Sequence, residues 1–102
     1  MRIKETLGTS FLLDERVRFT VQGGTVGGFF LLTDDRMIFL SLERGEHRLE
    51  LTRGEVCSII PEEHMTVRIY LNNTQFIRII SGVSEEICDV LQQNGWTVSN
   101  QK

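Results

Sequence analysis

The chain is poor in the features that announce a specialised class. It has two cysteines, Cys57 and Cys88, with no close spacing. A secreted scaffold of this length usually carries more. It has two histidines, His47 and His64, and neither has a cysteine or a second histidine at ligand spacing. No metal and no other cofactor is expected. No apolar segment of signal or membrane length follows the opening Met-Arg-Ile-Lys-Glu-Thr. Linkers, repeats and low-complexity tracts are missing. So is a basic excess: 11 basic residues stand against 14 acidic ones, for a formal charge of −3. Duplex binding usually shows as a basic excess or stripe, so a nucleic-acid partner is not expected. Non-specific attraction to anionic membranes is weakened for the same reason. These absences lead to the expectation of a soluble cytoplasmic protein with buried, reduced thiols.

What remains is ordinary for one globular domain. The chain has 102 residues, 40% of them hydrophobic and 25% charged. A domain of this size buries roughly two-thirds of the surface its unfolded chain exposes, so it can fold without disulfides or metal. Nine of the 11 basic residues are Arg. Arg suits bidentate and stacked contacts. On a strand-rich protein the simplest use is cross-strand pairing with carboxylates.

The apolar period is mostly two. Val17, Phe19 and Val21 fall on one face of a strand over Arg16 to Gln22, with Arg18 and Thr20 on the other. Phe29 to Thr33 and Met37 to Leu42 are continuous apolar runs, as in strands covered on both sides. Between them Thr33-Asp34-Asp35-Arg36 predicts a tight turn. Further strands are predicted at His47 to Leu51 and at Val56 to Ile60, the latter closed by Pro61. Two more are Met65 to Leu71 and Thr74 to Ile80, joined at Asn72-Asn73. The six residues Gly23-Gly24-Thr25-Val26-Gly27-Gly28 read as a mobile hairpin tip.

After Gly82 the period becomes helical. Ser84 is the expected N-cap, and Glu85 and Glu86 suit the first turn. Ile87, Val90 and Leu91 form the stripe, and Gly95 stops the helix so that Trp96 can fold back onto Leu91. A helix of about 11 residues does not persist alone, so it must lie on the sheet. Seven antiparallel strands with short turns curl to hide their edges. The expected fold is mainly β: a seven-stranded barrel of two near-orthogonal sheets, plugged by one C-terminal helix. Residues 1–15 would be a lead segment, 16–96 the barrel and helix, and 97–102 a tail.

One stretch is more specific. Phe11-Leu12-Leu13-Asp14-Glu15-Arg16-Val17 precedes Gly28-Phe29-Phe30-Leu31-Leu32-Thr33-Asp34-Asp35-Arg36-Met37-Ile38-Phe39. This resembles the GRAM domain, a member of the pleckstrin-homology-like (PH-like) superfamily. The matching features are Leu32-Thr33, Arg36 and the Ile38-Phe39 pair. The resemblance runs over about residues 11–95 and is sharpest across this hairpin. It implies a PH-like barrel that works as a non-catalytic binding or adaptor module, towards a protein partner or a membrane surface.

Phosphoinositide-binding members of that superfamily cluster Lys and Arg around the loop between the first two strands. Here Gln22 to Gly28 contains neither. The candidates for lipid or phosphate contact are therefore Arg16, Arg18 and Arg44, with Glu43 and Glu46 flanking Arg44 and repelling an anion. The alternative for Arg16 and Arg18 is pairing with strand carboxylates. PH-like folds can also accept an extended peptide between the fifth strand and the helix. The matching residues are Val56, Ser58 and Ile60, beside Ile87 and Leu91. The same edge could serve a homo-oligomeric structural protein, or be covered by loops.

Catalysis finds no footing. Gly-Gly-Thr-Val-Gly-Gly is not G-x-x-x-x-G-K-S/T, and no helix follows it to supply a phosphate site. Cys57 and Cys88 fall in apolar surroundings, where thiols are inert. Glu62-Glu63-His64 and Asp34-Asp35 read as solvated turns. A carrier or enzyme built on the barrel interior is disfavoured, because a barrel of this size packed with Val, Ile, Leu and Phe is normally full.

Overall fold

The structure is a computed structural model, and it describes residues 11–21, 24–43 and 45–99. Seven strands precede one helix: β1 (Leu13–Val21), β2 (Gly24–Leu32), β3 (Arg36–Ser41), β4 (His47–Thr52), β5 (Val56–Glu62), β6 (Thr66–Leu71), β7 (Phe76–Ile80) and α1 (Ser84–Gln93). They form one antiparallel sheet in the order β4-β3-β2-β1-β7-β6-β5. The sheet is not closed, since β4 and β5 stand at opposite ends of that order. They are joined through a short 3-10 turn at Arg53–Glu55. Leu51 of β4 and Ile59 of β5 nevertheless share one hydrophobic cluster, so the two arms curl over a common core.

The Thr33 turn explains the tight hairpin. Thr33 Oγ1 accepts from the backbone N–H of Asp35 (3.3 Å) and of Arg36 (3.1 Å), and donates to Asp35 Oδ1 (2.9 Å). On the inner face, Phe30, Leu32, Met37 and Phe39 are fully buried. The ring of Phe39 packs tilted against Phe19 (5.4 Å) and Phe30 (5.3 Å). On the outer face, Leu31, Ile38 and Leu40 form a second buried cluster, with Phe11 and Phe29 packed on it. Both runs are continuous because both faces of this hairpin are covered.

The helix closes the core from below the sheet. Ile87 and Leu91 are fully buried, Cys88 nearly so, and Val90 packs at the margin. Each large buried side chain contributes roughly 1.5–3 kcal/mol relative to exposure. Gly95, at φ +87°, turns the chain. Gly95 N–H donates to Gln92 O (3.1 Å) and Trp96 N–H to Leu91 O (3.0 Å), a Schellman ending. Trp96 is thereby returned to the core, and the Arg53 guanidinium stacks on its ring at 4.7 Å.

Several details differ from the sequence reading. Gly24 to Gly28 is strand, not a mobile tip: Gly28 pairs with Val17, Gly27 with Arg18 and Val26 with Phe19. Val26 is 1% exposed and belongs to the core. The glycines serve close approach. A Cβ on Gly28 would lie 2.2 Å from Leu40 O and 3.0 Å from Phe19 Cε1. Pro61 does not end β5, which runs on to Glu62. The Ile59 N–H points away from β6, and Pro61, two residues on, faces the same way, so the ladder loses no donor. Met65 is excluded from β6 by its left-handed backbone (φ 58°) and is exposed. The turn after β6 extends to Gln75, with Thr74 at φ 71°, so β7 starts at Phe76. The helix N-cap is Val83, while the Ser81 hydroxyl accepts from Val83 N–H (3.1 Å). Cys57 is exposed because the β5 register slips there, which leaves it unpaired in a bulge.

The segment after the helix lies along β5. Ile59 N–H donates to Thr97 O (3.0 Å), and Ser99 N–H to Ile59 O (2.8 Å), making a parallel bridge between Ile59 and Val98.

Candidate functional site

A concavity follows from how β1 bends. β1 pairs with β7 at only two positions, Arg18 with Ile80 and Phe19 with Ile79. Its earlier half leaves β7 behind, and a cleft of about 640 Å³ opens at the seam. One wall is Arg16 to Arg18, and another is Ile80 to Gly82. Gly27, Gly28 and Phe29 of β2 continue it, with Leu40, Leu42 and Glu43 at the far side.

Strand alternation sets the chemistry of this cleft. Arg16 and Arg18 lie on one face of β1, about 7 Å apart along the strand. Across β2 their partners are Phe29 and Gly27. Neither of these cross-strand partners is a carboxylate. The Arg16 guanidinium stands 5.7 Å from the Phe29 ring centroid. Among the described residues neither Arg16 nor Arg18 has an ion-pair partner.

Other arginines are committed. Arg36 is paired with Asp35 (3.1 Å) and Glu50 (2.9 Å), and Arg48 with Glu50 (2.7 Å). Arg36 holds the Asp35 carboxyl below its usual range, and Arg36 with Arg48 does the same for Glu50. Arg68 is held by the Tyr70 hydroxyl (3.0 Å), Glu62 (3.2 Å) and the Phe76 ring (4.7 Å).

The far side of the cleft is locked onto β2. Ser41 Oγ donates to Gly27 O (2.6 Å) and accepts from Glu43 N–H (3.1 Å). The Glu43 carboxylate lies over Gly27, 2.9 Å from where a Cβ would stand. Leu42, at 60% exposure, stands at the rim. The cleft thus offers two guanidiniums without an ion-pair partner among the described residues, an apolar wall and one carboxylate. Its Ser81 hydroxyl is engaged with the backbone N–H of Val83. This is binding chemistry for a ligand that is both anionic and apolar.

Arg44 lies outside the described residues. Of the groove residues, Ile87 and Leu91 are fully buried, while Val56, Ser58 and Ile60 are half-buried. The neighbouring edge carries Thr97 to Ser99. Gly27, Phe29 and Leu42 were not anticipated at a site. An exposed leucine beside a carboxylate in a short loop was the available signal. Among the described residues no three His, Cys, Asp or Glu side chains cluster for a metal ion. No described helix is long and apolar enough to cross a membrane.

No family model matches the chain, and no curated protein matches it in sequence. Solved structures do match. The C-terminal domain of an unknown protein from Leishmania infantum aligns with a TM-score of 0.73 at 12% identity, over 88% of this chain and 87% of that one. The DH/PH fragment of PDZRHOGEF, crystallised with human RhoA, gives a TM-score of 0.68 at 12% identity, over 89% of this chain and 31% of that one. The Spt16D Pob3N heterodimer gives 0.62 at 7% identity, over 92% of this chain and 57% of that one. The chain spans about a third of the DH/PH fragment it matches. With the seven antiparallel strands and the C-terminal helix, these likenesses identify a PH-like fold.

Proposed function

We propose that the protein is a cytoplasmic, non-catalytic binding module of GRAM type that docks a protein partner at the β1 cleft. Residues 16–96 are the proposed module, with 1–15 a lead whose Leu13–Glu15 already belong to β1 and 97–102 a tail whose Thr97–Ser99 lie along β5. The observation that carries the reading is where space is found. Phe30, Phe39, Ile59, Ile69, Ile79, Ile87 and Leu91 fill the interior. The concave surface lies outside, with Arg16 and Arg18 on its wall and without an ion-pair partner among the described residues. A partner in complex with a PH-containing neighbour, RhoA, is consistent with protein recognition by this architecture. The GRAM assignment rests on the Leu32-Thr33, Arg36 and Ile38-Phe39 pattern.

The test is peptide-library display against the intact protein, beside liposome co-sedimentation with neutral and anionic lipids at low and high salt. Selected peptides should lose binding to Leu42→Asp, and the protein should stay in the supernatant when the liposomes are pelleted. Peptides indifferent to that substitution would refute the cleft. Salt-sensitive sedimentation with anionic liposomes would refute the protein partner.

One observation favours a second reading, a homo-oligomeric structural role. β4 has no outer strand partner among the described residues, and its Leu49 is 42% exposed. Edges of this kind pair with other edges. A strict monomer by light scattering at high micromolar concentration would remove it.

A further inference from the structure

Resting on the reading that the β1 cleft is the docking site, we infer that its ligand is an extended peptide segment alternating acidic and apolar residues. The argument is geometric. Arg16 and Arg18 are separated by the two-residue strand repeat, about 7 Å. An extended peptide repeats its side chains on one side with the same spacing. Laid along β1, such a segment sends residues i and i+2 towards the two guanidiniums. Residue i+1 then points across β2, past the Phe29 ring that carries the Arg16 guanidinium, towards Leu40 and Leu42.

Charge complementarity decides the sign. Neither Arg16 nor Arg18 has an ion-pair partner among the described residues, so acidic groups would meet cations that no described salt bridge engages. Arg also holds carboxylates in a planar, two-point fork. Glu43 sets a limit on the anion. Its carboxylate overlies Gly27, the cross-strand partner of Arg18. A compact, multiply charged group such as a phosphate cluster would meet that repulsion at short range. Single carboxylates spaced along a chain can stay on the arginine side. The apolar wall, with Leu42 facing solvent at its rim, suits the intervening side chain.

The test is fluorescence anisotropy with the intact protein and three labelled peptides, each with Gly-Ser flanks. Their cores are Glu-Leu-Glu-Leu, Lys-Leu-Lys-Leu and Glu-Ser-Glu-Ser. The first should bind best. Removing both guanidiniums, in Arg16→Gln/Arg18→Gln, should weaken it about tenfold, as expected for two exposed ion pairs. Glu43→Gln should tighten it about twofold, and added salt should weaken it. Both arginines are exposed, so unchanged thermal unfolding serves as the folding control. Equal binding of the Lys-Leu peptide, or no effect of the double substitution on the Glu-Leu peptide, would overturn the inference. Phosphatidylserine vesicles form the fourth arm. If they bind in an Arg16- and Arg18-dependent way and the peptides do not, the cleft stands and the peptide assignment falls. If no probe responds to any cleft substitution, the docking site itself falls.

Discussion

Adjacent glycines on opposite faces of β2 make the sharpest stability test. Replacing Gly28 with Ala places a Cβ 2.2 Å from Leu40 O, a backbone atom, where ordinary contact begins at 3.4 Å. More than 1 Å must be recovered by moving β3 away from β2, and Phe19 Cε1 at 3.0 Å blocks the other escape. Overpacking of this kind costs roughly 2–3 kcal/mol. For a domain of this size that lowers Tm by about 10–20 °C. Replacing Gly27 with Ala meets only Glu43 Oε2, at 2.9 Å, on a side chain that can swing into solvent. The lost freedom of the unfolded chain offsets that shift, so Gly27→Ala should stay within about 0.5 kcal/mol of wild type. Thermal unfolding followed by circular dichroism reads both. Equal Tm values for the two variants, or a larger loss at Gly27, would refute the register of β2 and the approach of β3.

Three further outcomes follow from the same structure. Ending the chain after Trp96 removes the Thr97 and Ser99 hydrogen bonds and the Val98 contact. Stability should fall by roughly 1–3 kcal/mol with the fold retained, and the Ile59 amide should lose its hydrogen-exchange protection. With a thiol reagent, Cys57 should react in the native state. Cys88 should wait for unfolding, because burial pushes its pKa up to about 11, aided by Asp89 and Glu85. Two fast thiols would contradict the burial of Cys88. Asp35, Glu50 and Glu55 all have lowered pKa values, through Arg36, through Arg36 and Arg48, and through the Thr52 backbone N–H respectively. A lowered folded pKa stabilises above the unfolded value, near 4, and the benefit disappears as pH falls through the folded value. Tm should therefore drop on acidification below about pH 4, and Arg36→Met should shrink that drop.

The sequence showed the strands best where the apolar period was clean. Val17 and Phe19 alternate, and they do face the core. Ile87 and Leu91 mark the helix face for the same reason. Gly24 to Gly28 misled because composition cannot separate a glycine needed for a loop from one needed for close approach. Only Leu40 O, brought over Gly28 by the fold, reveals which applies. Cys57 sits in an apolar run, yet one unpaired bulge residue turns it outward. The cleft was half visible. Arg16 and Arg18 stood out as polar partners of an apolar alternation. Their neighbours Phe29 and Gly27 depend on a pairing register that reading along the chain does not supply.

The most direct measurement is a two-dimensional amide NMR titration of the intact protein with the Glu-Leu-Glu-Leu peptide. Saturable shifts gathered at residues 16–18, 27–29, 42–43 and 80–82 are the predicted result. Shifts centred instead on 56–60 and the helix, or none at all, would contradict the account.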